Sequence, residues 1–151
     1  RSGEDVKPIT GADTYGPLSF QPTQPGYFWY GIHSAEMLFA IPGPGCKEVR
    51  AFAGEGQDVI VGTWADGRIG TVRGNQSSNW LYGATIHREN RSDACTSENA
   101  AKPGYASLLE QVMVLFTTGK SPLDIAETLE VIRFLEAANE SREAGGKPVA
   151  L

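Results

Sequence analysis

The spacing of apolar residues changes along this chain, and each change marks an element. Residues 32–41 are rich in helix formers and stop at Pro42-Gly43-Pro44-Gly45, which cannot continue a helix, so a helix of about three turns is expected. From Lys47 the period shortens to two: Val49, Ala51 and Ala53 alternate with Glu48, Arg50 and Phe52. Residues 58–64 then read as a strand apolar on both faces and therefore covered on both. Asp66-Gly67 is a hairpin signal, because this pair tolerates the positive φ values of a two-residue turn. Residues 69–76 return, with Gly70 and Gly74 leaving the strand surface bare enough for another backbone or a ligand to approach. A fourth strand is expected over 80–88, where His87 reads as a solvated edge residue.

The period lengthens again near the C-terminus. Tyr105, Leu108, Leu109, Val112, Leu115 and Phe116 recur at helical spacing and end at Gly119. Ser121 as N-cap, Pro122 in the first helical position and Asp124 three residues after the cap open a further helix. Its buried face is expected to be Ile125, Leu129, Ile132 and Leu135, its end Gly145-Gly146, and residues 147–151 a short extended tail. Residues 1–26 carry Pro and Gly without a period and read as an extended arm or connector ahead of a single domain over 27–151. The resulting class is α+β: a mainly antiparallel open sheet of about four strands with helices packed on one face. The other face is left for solvent or a partner, and the apolar content of residues 58–64 favours a homo-oligomer through that face.

Composition narrows the partners. At 151 residues the chain can bury one good core but not two. A net charge of -5 with acidic and basic residues interspersed leaves no basic stripe for nucleic acid and no polybasic arm for a membrane. No apolar run approaches bilayer length, and Arg1-Ser2-Gly3-Glu4-Asp5 is not the start of a signal peptide, so a soluble, cytoplasmic protein is expected. Cys46 and Cys95 lie far apart without metal-ligand spacing, which leaves free thiols or one disulfide and no metal site.

The candidate chemistry lies where four aromatics, Tyr27, Phe28, Trp29 and Tyr30, run into Gly31-Ile32-His33 at the start of the first helix. Histidine takes up and releases a proton near neutral pH, which suits it to acid–base work. The aromatics can stack on a sugar ring or fill core and interface. Arg73 stands near the end of a central strand, where polar residues line polyol pockets or simply meet solvent; Tyr105 stands in a turn just before a helix.

These pieces come in a recognisable order: Gly31-Ile32-His33 with Glu36, a strand holding Asp58-Val59, the hairpin Asp66-Gly67-Arg68-Ile69-Gly70, paired helices over 105–118 and 121–138, and the closing residues 141–146 with Lys147-Pro148-Val149-Ala150-Leu151. In that order the chain resembles the C-terminal domain of the glucose-fructose oxidoreductase, inositol dehydrogenase and MocA (Gfo/Idh/MocA) family. The resemblance implies the substrate-binding and oligomerisation half of an NAD- or NADP-dependent oxidoreductase for a sugar, cyclitol or related polyol. It implies His33 as the catalytic proton shuttle, with Trp29, Tyr30, Glu36, Arg73 and Tyr105 around a carbohydrate-like ligand. Two departures accompany it. The Asp often found four residues before the histidine is replaced by Trp29, so the acidic partner is either absent or supplied by Glu36 on the same helix face, where an acid can also serve structure. No G-x-G-x-x-G follows a strand, so the cofactor belongs mainly to a Rossmann domain outside this chain, and the isolated chain is expected to be inactive. A stand-alone carbohydrate-binding or assembly module is the alternative.

Overall fold

A computed structural model describes residues 6–151. Its strands are β1 (Ile9–Pro17), β2 (Cys46–Gly54), β3 (Gln57–Trp64), β4 (Ile69–Asn75), β5 (Gly83–Arg88), β6 (Ser92–Thr96) and β7 (Val149–Ala150). The helices are α1 (Gly31–Phe39), α2 (Gly104–Thr118) and α3 (Ile125–Glu143). All seven strands form one open sheet in the order β6-β5-β1-β4-β3-β2-β7.

The expected meander is present from β2 to β4, but β5 does not pair with β4. β1 lies between them, parallel to β4 (Thr14 opposite Val72) and antiparallel to β5 (Thr14 opposite Ala84). The stretch expected to be a connector thus supplies a central strand. Its inward residues are Ala12, Thr14 and Gly16, too small and too polar to show the apolar alternation of a strand. Buried Thr14 is satisfied all the same, because its Oγ1 donates to the Ser34 carbonyl at 3.0 Å and lies 3.2 Å from that of Thr71. That bond fastens α1 to β1.

Alternation assigns the faces. Val49, Ala51, Ile60, Trp64, Val72 and Ala12 point to one side, where α1 and α3 cover them with Leu38, Phe39, Phe134 and Leu135 in a single core. Gly70 makes close cover possible: a Cβ there would stand 2.8 Å from Leu38 Cδ1. The bare surface expected at this glycine therefore receives a side chain of α1. Among the described residues no helix packs on the opposite face of the sheet, which carries Val59, Val61, Phe52 and Ile69.

Both C-terminal helices differ from expectation. Asp124, not Ser121, is the N-cap of α3, its Oδ1 accepting from Ala126 N at 2.9 Å, while Ser121 bonds locally to Leu123 in the preceding turn. The buried face of α3 is Val131, Phe134, Leu135, Ala138 and Ser141; Ile125 and Leu129 are exposed. α2 ends as expected at Gly119 in the left-handed conformation, but none of its residues is buried and it has no extensive contact with another element. Among the described residues no helix is long and apolar enough to cross a membrane.

Candidate functional site

The aromatic run ahead of α1 is pinned from behind. Tyr27, fully buried, donates its hydroxyl to Asp58 Oδ2 at 2.8 Å and its backbone N–H to Asn139 Oδ1 at 3.1 Å. Arg142 of α3 donates Nε to the same Asp58 oxygen at 2.9 Å, and Phe20 lies over the Arg142 guanidinium at 4.9 Å. Burial, reinforced by the Asp58 carboxylate, raises the Tyr27 phenol well above its ordinary pKa, so it remains a donor. With Tyr27 committed to the core, Trp29 and Tyr30 turn outward and α1 starts at Gly31 in a fixed place.

His33 lies in the first turn of α1, exposed on the helix face away from the sheet. Its ring meets Tyr30 and Tyr82 edge-on, with centroids 6.1 and 6.0 Å away. Tyr30 in turn contacts Trp29 at 5.9 Å and Trp80 at 5.7 Å. Tyr82, just before β5, is seated by Gly16, where a Cβ would stand 2.5 Å from its ring. Burial and then the nearby Tyr30 raise the Tyr82 phenol above its ordinary pKa. Glu36, one turn on, reaches Oε2 to 3.8 Å from His33 Nδ1, beyond a hydrogen bond.

These residues border an open cleft of about 860 Å³ lined by His33, Glu36, Met37, Tyr82, Gly104, Tyr105 and Leu108. That is in the range of small-molecule sites, roughly 300–1,000 Å³. A smaller groove of about 330 Å³ between α1 and α3 shares Glu36 and adds Asp124 and Glu127. Among the described residues no group of His, Cys, Asp or Glu is placed to hold a metal ion.

The residues singled out from sequence separate into three groups. His33, Glu36 and Tyr105 line one cleft, although they come from distant parts of the chain. Trp29 and Tyr30 do not line it: Tyr30 meets His33 at its rim, and Trp29 packs behind Tyr30. Arg73 does not join them. Val72 and Gly74 beside it are turned toward the helices, so Arg73 projects from the bare face and donates Nη1 to Gln57 Oε1 at 2.8 Å. Tyr82 is a site residue that periodicity does not single out; its one signal is its place at a strand entry, opposite a glycine of β1, whose sequence has no strand period. His87 is not at an edge: its Nε2 lies 2.8 Å from Asp13 Oδ2 and its Nδ1 2.9 Å from Ser92 Oγ, on the bare face. Both cysteines are free thiols, Cys46 buried and Cys95 exposed.

No protein-family model and no curated protein sequence matches the chain. Solved structures do. GenD2 from gentamicin A biosynthesis, solved in complex with NAD, matches 97% of this chain and 56% of its own at 15% identity, with a TM-score of 0.77. A myo-inositol dehydrogenase from Corynebacterium glutamicum ATCC 13032 matches 97% and 57% at 14% identity, TM-score 0.72. The WlbA dehydrogenase from Bordetella pertussis, solved with NADH and UDP-GlcNAcA, matches 95% and 55% at 15% identity, TM-score 0.70. The chain therefore has the fold of the C-terminal domain of Gfo/Idh/MocA-type dehydrogenases and spans little more than half the length of the structures it matches.

Proposed function

We propose that this chain is the substrate-binding and oligomerisation half of an NAD(P)-dependent oxidoreductase acting on a sugar, cyclitol or related polyol. The observation that carries the proposal is the placement of His33: a proton-transfer group at the start of a pinned helix, inside an aromatic cleft, on a fold shared with NAD-complexed sugar dehydrogenases. Exposed α2 supports a second domain. Tyr105, Leu108, Leu109, Met113 and Phe116 give it an apolar surface that water would otherwise cover.

The cleft does not fit a dinucleotide by itself. No lysine or arginine lines it, and no glycine-rich turn leads from a strand into a helix beside it. The hydride acceptor belongs to the second domain, and no residue of this chain is assigned to it. What this chain contributes is proton handling and orientation. His33 accepts the hydroxyl proton of an alcohol substrate, or returns it to the carbonyl oxygen in the reverse direction, with Glu36 one turn away on the same helix face. Tyr82 and Tyr105 line the cleft and Tyr30 stands at its rim, an aromatic surface suited to the apolar side of a sugar. The bare sheet face, with Val59, Val61, Phe52 and Ile69, is the surface for a second copy.

The test is hydride transfer by the chain joined to a dinucleotide-binding domain. His33→Gln is expected to lower kcat by about 100-fold or more, in line with loss of one general acid–base group. An unchanged kcat removes His33 from the mechanism, and NAD(P)H turnover by the 151-residue chain alone removes the need for a second domain. Sedimentation checks association: a monomer at every concentration counts against the sheet face as an interface.

A further inference from the structure

We propose that the His33 cleft selects an amine-bearing sugar or aminocyclitol, a cation, over neutral or phosphate-bearing sugars. The inference deepens the preceding reading, since it takes that cleft as the substrate site.

Charge is the first observation. Glu36 is the one carboxylate among the residues lining the cleft, and they include neither Lys nor Arg. Lys102, close in sequence to the α2 end of the cleft, is engaged elsewhere: its Nζ lies 2.7 and 3.0 Å from the two carboxylate oxygens of Glu110. The adjoining groove continues the same sign, with Glu36, Asp124 and Glu127 and again no basic residue. A phosphate or nucleotide diphosphate would enter this field against repulsion and find no guanidinium or ammonium to pair with.

The second observation is aromatic and independent of charge. Tyr82 and Tyr105 line the cleft, and Tyr30 and Trp80 continue the aromatic surface at its rim. Ring faces attract a positively charged group within about 6 Å, most strongly where water is partly excluded. A carboxylate and aromatic rings lining one cleft suit an ammonium: the acid takes its N–H donors and the rings take its charge. A hydroxyl in the same place keeps the hydrogen bond but loses both charge interactions. Selection then falls on the amine and not on the ring that carries it.

The experiment is an amide NMR titration of the 151-residue chain with glucosamine, N-acetylglucosamine, glucose, myo-inositol and UDP-N-acetylglucosamine. Glucosamine is expected to shift signals of His33, Glu36, Tyr82 and Tyr105 with an affinity about tenfold above that of N-acetylglucosamine, which keeps the ring and loses the charge. In Glu36→Gln that preference falls to within about twofold, and the spectrum itself reports whether the variant is folded. Equal or tighter binding of neutral sugars at these residues overturns the amine selectivity and leaves the carbohydrate reading standing. Tightest binding of the UDP-sugar does the same. No shift at the cleft with any ligand overturns both.

Discussion

Helices α2 and α3 carry similar sequence signals and meet different fates. Both show apolar residues at helical spacing, yet α3 buries Phe134, Leu135 and Ala138 against the sheet while α2 buries nothing. The difference lies in contact. One face of the sheet holds α1 and α3, which touch each other and β1, β2 and β4, while α2 makes no extensive contact with any strand. The apolar stripe of α2 is continued by Leu123 before α3 and by Ile125 and Leu129 in its first turns, all exposed. A groove lined by Leu108, Val112, Leu115 and Leu123 joins the two stretches. An apolar period therefore says that a surface is to be covered; it does not say that the same chain covers it.

The sharpest way to break this comparison is a matched pair of truncations. Phe134→Ala removes a ring that is 0% exposed and packs edge-on against Phe39 at 5.4 Å, so chemical denaturation is expected to show a loss of about 3–5 kcal/mol. Phe116→Ala removes a ring that is 80% exposed, and its cost in this chain is expected to stay within about 0.5 kcal/mol. Similar losses in the two variants would mean that α2 is packed in solution and would remove the argument for a second domain.

Asp58→Ala comes next. It leaves the buried Tyr27 hydroxyl without its acceptor and Arg142 without its counter-ion. Breaking a buried pair typically costs about 3–5 kcal/mol, but Arg142 is partly exposed and regains water, so about 2–3 kcal/mol is expected. Because Tyr27 fixes the entry to α1, the aromatic signals of Trp29 and Tyr30 should also shift in the near-ultraviolet spectrum. A stability within 0.5 kcal/mol of the parent chain, roughly the surface-substitution range, would show that α1 is held by its core residues alone.

Much of this was legible in the sequence where one physical signal dominated. The Asp66-Gly67 hairpin, the stop after α1 and the glycine end of α2 are local chemistry, and they stand where expected. β1 was not legible because its inward face is built from Ala12, Thr14 and Gly16, and Thr14 is made buriable by acceptors 20 and 57 residues away. The same gap hid part of the cleft. Once β1 stands between β4 and β5, Gly16 faces the entry to β5 and Tyr82 packs beside His33; without β1 there is no reason to join residues 16, 33 and 82. Arg73 failed as a cleft residue through parity alone, since the residue before it belongs to the core.

The smallest effect probes the packed region directly through its cysteines. Cys46 begins β2 beneath α3, whose Glu130 Oε1 accepts from the Cys46 and Gly45 N–H groups at 2.7 and 2.6 Å. Burial pushes the Cys46 thiol up to about 11, and Cys95 on β6 is exposed. A raised thiol pKa favours the folded state below the ordinary thiol value, and this contribution is lost as pH rises through about 11. At pH 8, iodoacetamide followed by mass spectrometry is therefore expected to find Cys95 modified and Cys46 spared, with Cys46 reacting once the chain is unfolded or the pH approaches its thiol value. Modification of both at the same rate at pH 8 would mean that α3 does not stay closed over β2, and the contrast between a packed α3 and an unpartnered α2 would fall with it.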